Sequence, residues 1–232
     1  MAAFACLRRS EAASAFAQEG RGHPRLSAPR RSTWVAGTRP SAGPAMTSKQ
    51  KSVRISTRVA GLYGGRISMI RPGRPEDTGA LQSIEQQARS RYAGLAGFEF
   101  VCAAPAISAD RLTAGETWVT DLMGAPVGFA LVQPMDGYLY LANISVAPAA
   151  AHRGVGSALL RRVIDRATEL GASAVTLATF RAPPWNGAWF RRHGFASMPE
   201  TDIGRDLRAV LTRHAGFLDM ATRETLWHPV VR

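Results

Sequence analysis

The stretch from Val146 to Leu160, VAPAAAHRGVGSALL, constrains this chain more than any other. An apolar run, Tyr138 to Val146, reads as a strand that ends at Pro148. A turn of small residues follows, then the loop His152-Arg153-Gly154-Val155-Gly156-Ser157 and a helix-patterned run from Ala158 to Leu170. Strand, glycine-bearing loop and helix, in that order, build an anion site. The first turn of a helix leaves backbone N–H groups without partners, and the helix dipole places partial positive charge there. Gly154 and Gly156 let the chain approach a phosphate with no Cβ in the way, and Arg153 adds a fixed charge. A strand–turn–helix corner that binds nothing is the plain alternative. Two phosphate motifs are excluded. No Gly-Lys-Ser/Thr follows, and neither a third glycine nor an acidic residue on the next strand, Ala174 to Phe180, completes a dinucleotide fingerprint.

The charge of the chain is lopsided. Residues 1–68 carry 12 Arg and Lys against Glu11 and Glu19, a net of +10 out of +12 for all 232 residues. Residues 1–66 are rich in Ala, Arg, Ser, Gly and Pro without sustained periodicity, so they read as a disordered basic extension that cannot offset its ordering entropy. Four readings of it stay open: a nucleic-acid-binding arm, an organelle transit peptide, an arm of no special role, or a misplaced start, with translation beginning at Met46 or Met69. Cys6 and Cys102 lie too far apart in the sequence to suggest a disulfide framework, which makes a reduced cytoplasmic setting the default. The five histidines lack ligand spacing, so no metal is expected, and no apolar run is long enough to span a membrane.

From Ile67 onward the pattern is ordered. The expected elements are a strand at Ile67–Ile70 and a helix capped by Asp77 or Thr78 and running to about Tyr92, with Leu81, Ile84 and Ala88 on one face. A loop at Ala93–Ala106 carries Phe98, Phe100 and Cys102, and Ser108 caps a short helix, Ala109–Thr113. Strands at Trp118–Leu122 and Val127–Gln133 flank a turn at Met123–Pro126, and Asp136-Gly137 turns the chain into Tyr138–Val146. After the glycine loop and its helix, Ala174–Thr179 reads as a strand buried on both faces. Ala188–His193 is a short helix closed by Gly194. A strand near Phe195, a helix near Asp206–His214 and a strand near Glu224–His228 complete the chain. The fold class is α/β (α+β): antiparallel strands pass into a parallel pair through a crossover helix, with helices on both faces of a mixed sheet.

This order, the glycine loop and the block LATFRAPPWNGAWFRRHGF, Leu177 to Phe195, together resemble the GNAT superfamily of N-acetyltransferases, over about Ser68 to Arg232. The resemblance implies a mostly antiparallel sheet whose central parallel pair splays apart to admit acetyl-CoA as donor, with no metal. By position, Ile144, Ser145 and Val146 face the pantetheine, and His152 to Ser157 hold the pyrophosphate. Asn186 is a further CoA contact, and the Val146 amide polarises the thioester carbonyl. Three departures stand out. Ala151 replaces the Gln or Arg that opens the family's loop. Ala142 and Asn143 stand where a related subgroup has acids. Phe190 replaces the tyrosine that protonates the leaving thiolate. Asn143 cannot take a proton, though it can orient a water.

The expected function is acetyl transfer to an amine by direct attack. The acceptor is a small-molecule or peptide amine, and the protein is a monomer or homodimer with no membrane partner and nucleic acid not expected. The alternatives are an acyl-CoA-binding module without catalysis and a nucleic-acid-associated protein using the basic arm. His193 reads as a surface or capping residue, and Glu85 and Asp110 as solvated helix positions. Arg181 is either a partner for an acidic acceptor or a solvated loop residue. Phe98, Phe100 and Trp185 either line the acceptor pocket or plug it.

Overall fold

The structure, a computed structural model, describes residues 67–230. The readings made for residues 1–66, among them the basic arm, the transit peptide and a start at Met46, lie outside the described residues.

Seven strands form one sheet: β1 (Ile67–Pro72), β2 (Glu116–Leu122), β3 (Ala125–Met135), β4 (Tyr138–Val146), β5 (Ala174–Phe180), β6 (Ala196–Ser197) and β7 (Arg223–Pro229). Their spatial order is β1-β2-β3-β4-β5-β7-β6, and every neighbouring pair is antiparallel except β4 and β5. Among the described residues six α-helices accompany them: α1 (Thr78–Ala88), α2 (Glu99–Ala103), α3 (Ala109–Thr113), α4 (Val155–Glu169), α5 (Gly187–Arg192) and α6 (Arg205–Ala215).

Side-chain alternation explains why helices lie on both faces. Ala130 and Val132 of β3, with Leu139 and Leu141 of β4, pack on the apolar stripe Val155, Leu159, Leu160 and Val163 of α4. The intervening residues Phe129 and Leu131 pack with Leu81 and Ile84 of α1 on the opposite face. Met135 and Tyr140 meet Leu207 and Val210 of α6. The two hairpin turns, Met123-Gly124 and Asp136-Gly137, each place both central residues at positive φ, the conformation that fits the twist of the flanking strands.

Several boundaries differ from expectation. The first turn takes two residues, so Ala125 and Pro126 belong to β3. The α1 helix stops at Ala88 and continues to Tyr92 as a 3-10 turn. Within the expected loop at 93–106, α2 forms, because Phe98 and Phe100 pack with Tyr92, Phe180 and Leu218 in a small aromatic cluster. The α4 helix begins at Val155, three residues before its apolar pattern becomes regular.

Candidate functional site

The parallel pairing of β4 and β5 covers only two residue pairs, Leu139 with Val175 and Tyr140 with Thr176. Beyond them β4 runs on to Val146 and β5 to Phe180 without pairing to each other. The sheet is therefore split at its centre.

Which backbone groups look into the split follows from the other edge of β4. Gly128 and Val146 are opposite each other, and the Ala147 N–H donates to the Val127 carbonyl at 2.8 Å. That bond brackets Gly128 and Val146 as a non-hydrogen-bonded pair, whose own N–H and C=O groups point outward. Ile144, opposite Ala130, shares that phase, whereas Ser145, opposite Phe129, spends its backbone on β3. The Ile144 and Val146 amides thus face the split.

A β-bulge sets what side chains face the split. The register slips between Leu131 and Val132, which pair with Asn143 and Leu141 and leave Ala142 as an extra residue. Leu139 and Leu141 before the bulge and Ile144 and Val146 after it all reach the α4 side. Ala142 and Asn143 together line a cavity on the opposite face. The Asn143 side-chain oxygen accepts a 2.8 Å hydrogen bond from the Ser145 hydroxyl.

At the open end of the split, Pro148–Ala150 makes a 3-10 turn and the loop leads into α4. His152 (φ 59°) and Gly154 (φ 78°) are both left-handed, and Gly154 is the N-cap. The first bond of the helix runs from the Ala158 N–H to the Gly154 carbonyl, so the Val155, Gly156 and Ser157 amides precede the intrahelical ladder. His152, Arg153 and Gly154 are exposed, while the Val155 side chain anchors the turn in the core. The nearest atoms a Cβ at Gly156 would meet are Trp189 and Val146 side-chain atoms at 3.5–3.9 Å, ordinary contact distances, so packing within the chain does not demand glycine there. Ser157 Oγ is 2.9 Å from His193 Nε2, and His193 Nδ1 is 2.9 Å from the Trp189 carbonyl. His193 is the C-cap of α5, as the capping reading expected, and its ring also supports the loop.

The remaining expected residues fall as follows. Asn186 directs its side-chain amide to the Tyr92 hydroxyl (2.7 and 3.0 Å), and its carbonyl accepts the Trp189 and Phe190 N–H groups of α5. Phe190 is buried between Trp189 and Phe195 as part of the core. Arg181, largely exposed, contacts Glu224 and the Ala221 carbonyl. Phe98 and Phe100 pack as a plug around Phe180, with Trp185 edge-on to Tyr92. Asp110 is exposed, but Glu85 is not a solvated position: it is buried, paired with Arg89, and lines the cavity.

The cavity, about 120 Å³, spans the split from Asn143 on β4 to Ala178 on β5 and reaches Tyr140, Arg111 and Arg223. Sequence reasoning missed Arg111, Arg223 and Tyr140. It also passed over a legible signal: Leu81, Ile84, Glu85 and Ala88 form an i, i+3, i+4, i+7 stripe, which places Glu85 on the buried face of α1.

The model of the Acetyltransferase (GNAT) family matches residues 80–195, half of the chain and the whole of the split-sheet region described above. The chain belongs to the GNAT acetyltransferase family. Solved structures share its fold. A GCN5-related N-acetyltransferase from Rhodopseudomonas palustris is 20% identical over 73% of this chain and 99% of that one, with a TM-score of 0.51. PaiA N-acetyltransferase from Thermoplasma acidophilum, in complex with coenzyme A, is 13% identical over 69% and 98%, with a TM-score of 0.51. N-acetylglutamate synthase from Neisseria gonorrhoeae, complexed with coenzyme A and N-acetyl-glutamate, is 20% identical over 71% of this chain and 35% of that one, with a TM-score of 0.50. Membership in the GNAT family brings acyl transfer as the reaction class. Among the described residues no helix is long and apolar enough to cross a membrane.

Proposed function

We propose that residues 67–232 form an N-acetyltransferase domain that moves an acetyl group from acetyl-CoA to an amine by direct attack, in the cytoplasm. The observation that carries this reading is the orientation of Ile144 and Val146: their backbone groups face a split that ends at the unpaired first-turn amides of α4. The pantetheine amides take the free edge of β4. The diphosphate lies on the amides from His152 to Ser157, with His152 and Arg153 as side-chain contacts and Arg153 supplying charge.

In the transfer, a neutral amine approaching from the cavity attacks the thioester carbonyl carbon. The C–N bond forms, the carbonyl oxygen gathers charge against the Val146 N–H, and the C–S bond breaks as that charge returns. The nitrogen loses one proton, through a water held at Asn143, and the CoA sulfur gains one. Asn143 takes no proton itself, so the step lacks the ~10²–10⁴-fold that a positioned base supplies. A thiol pKa of about 8.5 makes the thiolate a tolerable leaving group without the acid that Phe190 cannot provide. Proximity and the polarised carbonyl remain, and the reading is slow but real turnover.

The second reading, an acyl-CoA-binding module without chemistry, is favoured by Asn143 and by the buried Phe190. The test is thiol release from acetyl-CoA across an amine panel, beside a calorimetric CoA affinity. Release with any amine supports transfer. Tight binding with no release from any amine supports the module.

A further inference from the structure

Acetyl transfer leaves a proton to be supplied at the CoA sulfur, and the buried Phe190 ring has none to give. The Tyr92 hydroxyl stands at the mouth of the split. Tyr92 ends the 3-10 turn after α1, and its half-buried ring is wedged among Phe98, Phe180 and Trp185, at centroid distances of 5.5, 6.3 and 5.6 Å. Phe180 is the last residue of β5, so the phenol is fixed beside the open end of that strand. Two contacts with Asn186 set the hydroxyl. Asn186 Nδ2 donates to the Tyr92 oxygen at 2.7 Å, and the phenol hydrogen reaches Asn186 Oδ1 at 3.0 Å. The first bond uses an oxygen lone pair and leaves the hydrogen transferable, and the same N–H steadies negative charge left on that oxygen.

The α5 helix joins this pair to the place of the thioester. Asn186 is the N-cap of α5, and its carbonyl accepts the Trp189 N–H at 2.8 Å. Trp189, three residues on and about 4.5 Å further along the helix, packs at the start of α4 and the end of β4. A Cβ at Gly156 would lie 3.5 Å from Trp189 and 3.8 Å from Val146. The α5 helix therefore bridges the mouth of the split, from Tyr92 and the end of β5 to Val146, whose N–H polarises the thioester carbonyl in the transferase reading.

Resting on that reading, we propose that the Tyr92 hydroxyl, oriented by Asn186, donates the proton that the departing CoA sulfur takes up. As the tetrahedral carbon collapses, the electron pair of the C–S bond goes to sulfur, and sulfur takes the Tyr92 hydrogen as the bond breaks. The phenolate left behind is held by Asn186 Nδ2–H and recovers a proton from solvent, into which the amine has released one through the water at Asn143. One C–N bond forms, one C–S bond breaks, and no proton is gained or lost overall. Asn186 is in this account a positioning residue that acts through Tyr92. The acid comes from the end of α1 rather than from α5, where position 190 carries no hydroxyl.

The experiment compares the full-length protein with Tyr92→Phe, which keeps the packed ring and loses only the hydroxyl. The first readout is the ultraviolet absorbance of the thiolate of bound CoA at about pH 7, with the desulfo-CoA complex as blank. A donor on sulfur favours its charged form, so the parent is expected to hold roughly 3–10 times more thiolate than Tyr92→Phe. The second is the rate of acetyl transfer in a single turnover on saturated protein. It is expected to slow about 10- to 100-fold in Tyr92→Phe, with calorimetric CoA affinity within about threefold of the parent. Asn186→Ala keeps the phenol without its alignment and should fall between the two on both readouts, and it keeps the test open should Tyr92→Phe not fold. Equal thiolate in parent and Tyr92→Phe, or an unchanged transfer rate, overturns the proposal while leaving acetyl transfer intact. The Tyr92–Asn186 bond would then only tie the 3-10 turn to the loop after β5. Should no amine release thiol from the parent, the transferase reading fails, and the thiolate comparison decides by itself: a difference upholds Tyr92 as the donor to sulfur, and none overturns it. If the parent does not bind CoA, both readings fall together.

Discussion

The hydroxyl of Ser157, in the first turn of α4, is bonded to Nε2 of His193, whose Nδ1 lies 2.9 Å from the Trp189 carbonyl. A carbonyl only accepts, so Nδ1 carries a proton, and in the neutral ring Nε2 takes the proton of Ser157. One short helix, α5, thereby steadies the loop that begins another. Replacing His193 by Ala, or Ser157 by Ala, is expected to weaken CoA binding about 3- to 10-fold, the scale of one hydrogen bond. The double variant should cost no more than the larger single effect, because both remove the same bond. A calorimetric double-mutant cycle checks this, and full additivity would separate the two residues.

Gly154 and Gly156 are predicted to respond differently to alanine. Gly154 sits at φ 78°, so Gly154→Ala should destabilise the fold by about 1–2 kcal/mol. Gly156 has neither positive φ nor a clashing neighbour, and Gly156→Ala should leave the unfolding free energy, read by denaturant titration, within about 0.5 kcal/mol of the parent. Its CoA affinity should nonetheless fall about tenfold or more if a phosphate packs on that backbone. Unchanged affinity would move the diphosphate elsewhere.

Asn143 stands on the bulge, with Ser145 already donating to its side-chain oxygen. A carboxylate accepts the same bond. Asn143→Asp is therefore expected to raise kcat at neutral pH by about tenfold or more, toward the ~10²–10⁴-fold range of a positioned base, with activity declining as acid protonates the new group. Steady-state rates across pH on both proteins make the comparison. A variant that binds CoA normally without gaining rate would show that deprotonation does not limit turnover.

Far from the site, Asp77 joins the entry of α1 to the sheet edge. Its carboxylate accepts Arg71 Nη1 and Nη2 at 2.7 and 2.9 Å and the Arg74 N–H at 2.8 Å, and the Arg71 guanidinium holds it below the usual carboxylate range. Because the folded value lies below the unfolded one of about 3.9, the contribution is complete above about pH 4 and disappears as the pH falls through the folded value. Asp77→Asn should lower stability at neutral pH by about 1–3 kcal/mol and flatten the acid limb of the stability curve. Denaturant midpoints between neutral and acid pH test both statements.

Local signals carried most of the fold. Asp136-Gly137, the Ser108 cap and the continuous apolar run of β5 each specify an element without help from distant contacts, and each forms where it was expected. The α2 helix did not announce itself, because Phe98 and Phe100 are ordered by Phe180, some eighty residues away in the chain. The bend at His152 to Gly154 was legible for the same local reason as the turns, although Val155, Gly156 and Ser157, read as loop, already belong to α4. The cavity was not, because it takes Arg111 from α3, Asn143 from a bulge and Arg223 from the last strand, and only the sheet order brings these together. Arg181 was the arginine in view because it follows a parallel strand. The structure turns it toward Glu224 and puts Arg223, from the neighbouring antiparallel strand, at the cavity.

The central claim is that a free strand edge and a free helix start together grip the donor. Amide hydrogen exchange of the protein with and without CoA, read residue by residue by NMR, tests it most directly. Protection is expected to rise at Ile144, Val146 and the first-turn amides Val155, Gly156 and Ser157, while Ser145, already bonded to β3, changes little. Equal exchange at those five amides with CoA bound, or protection confined to Ser145, would contradict the account.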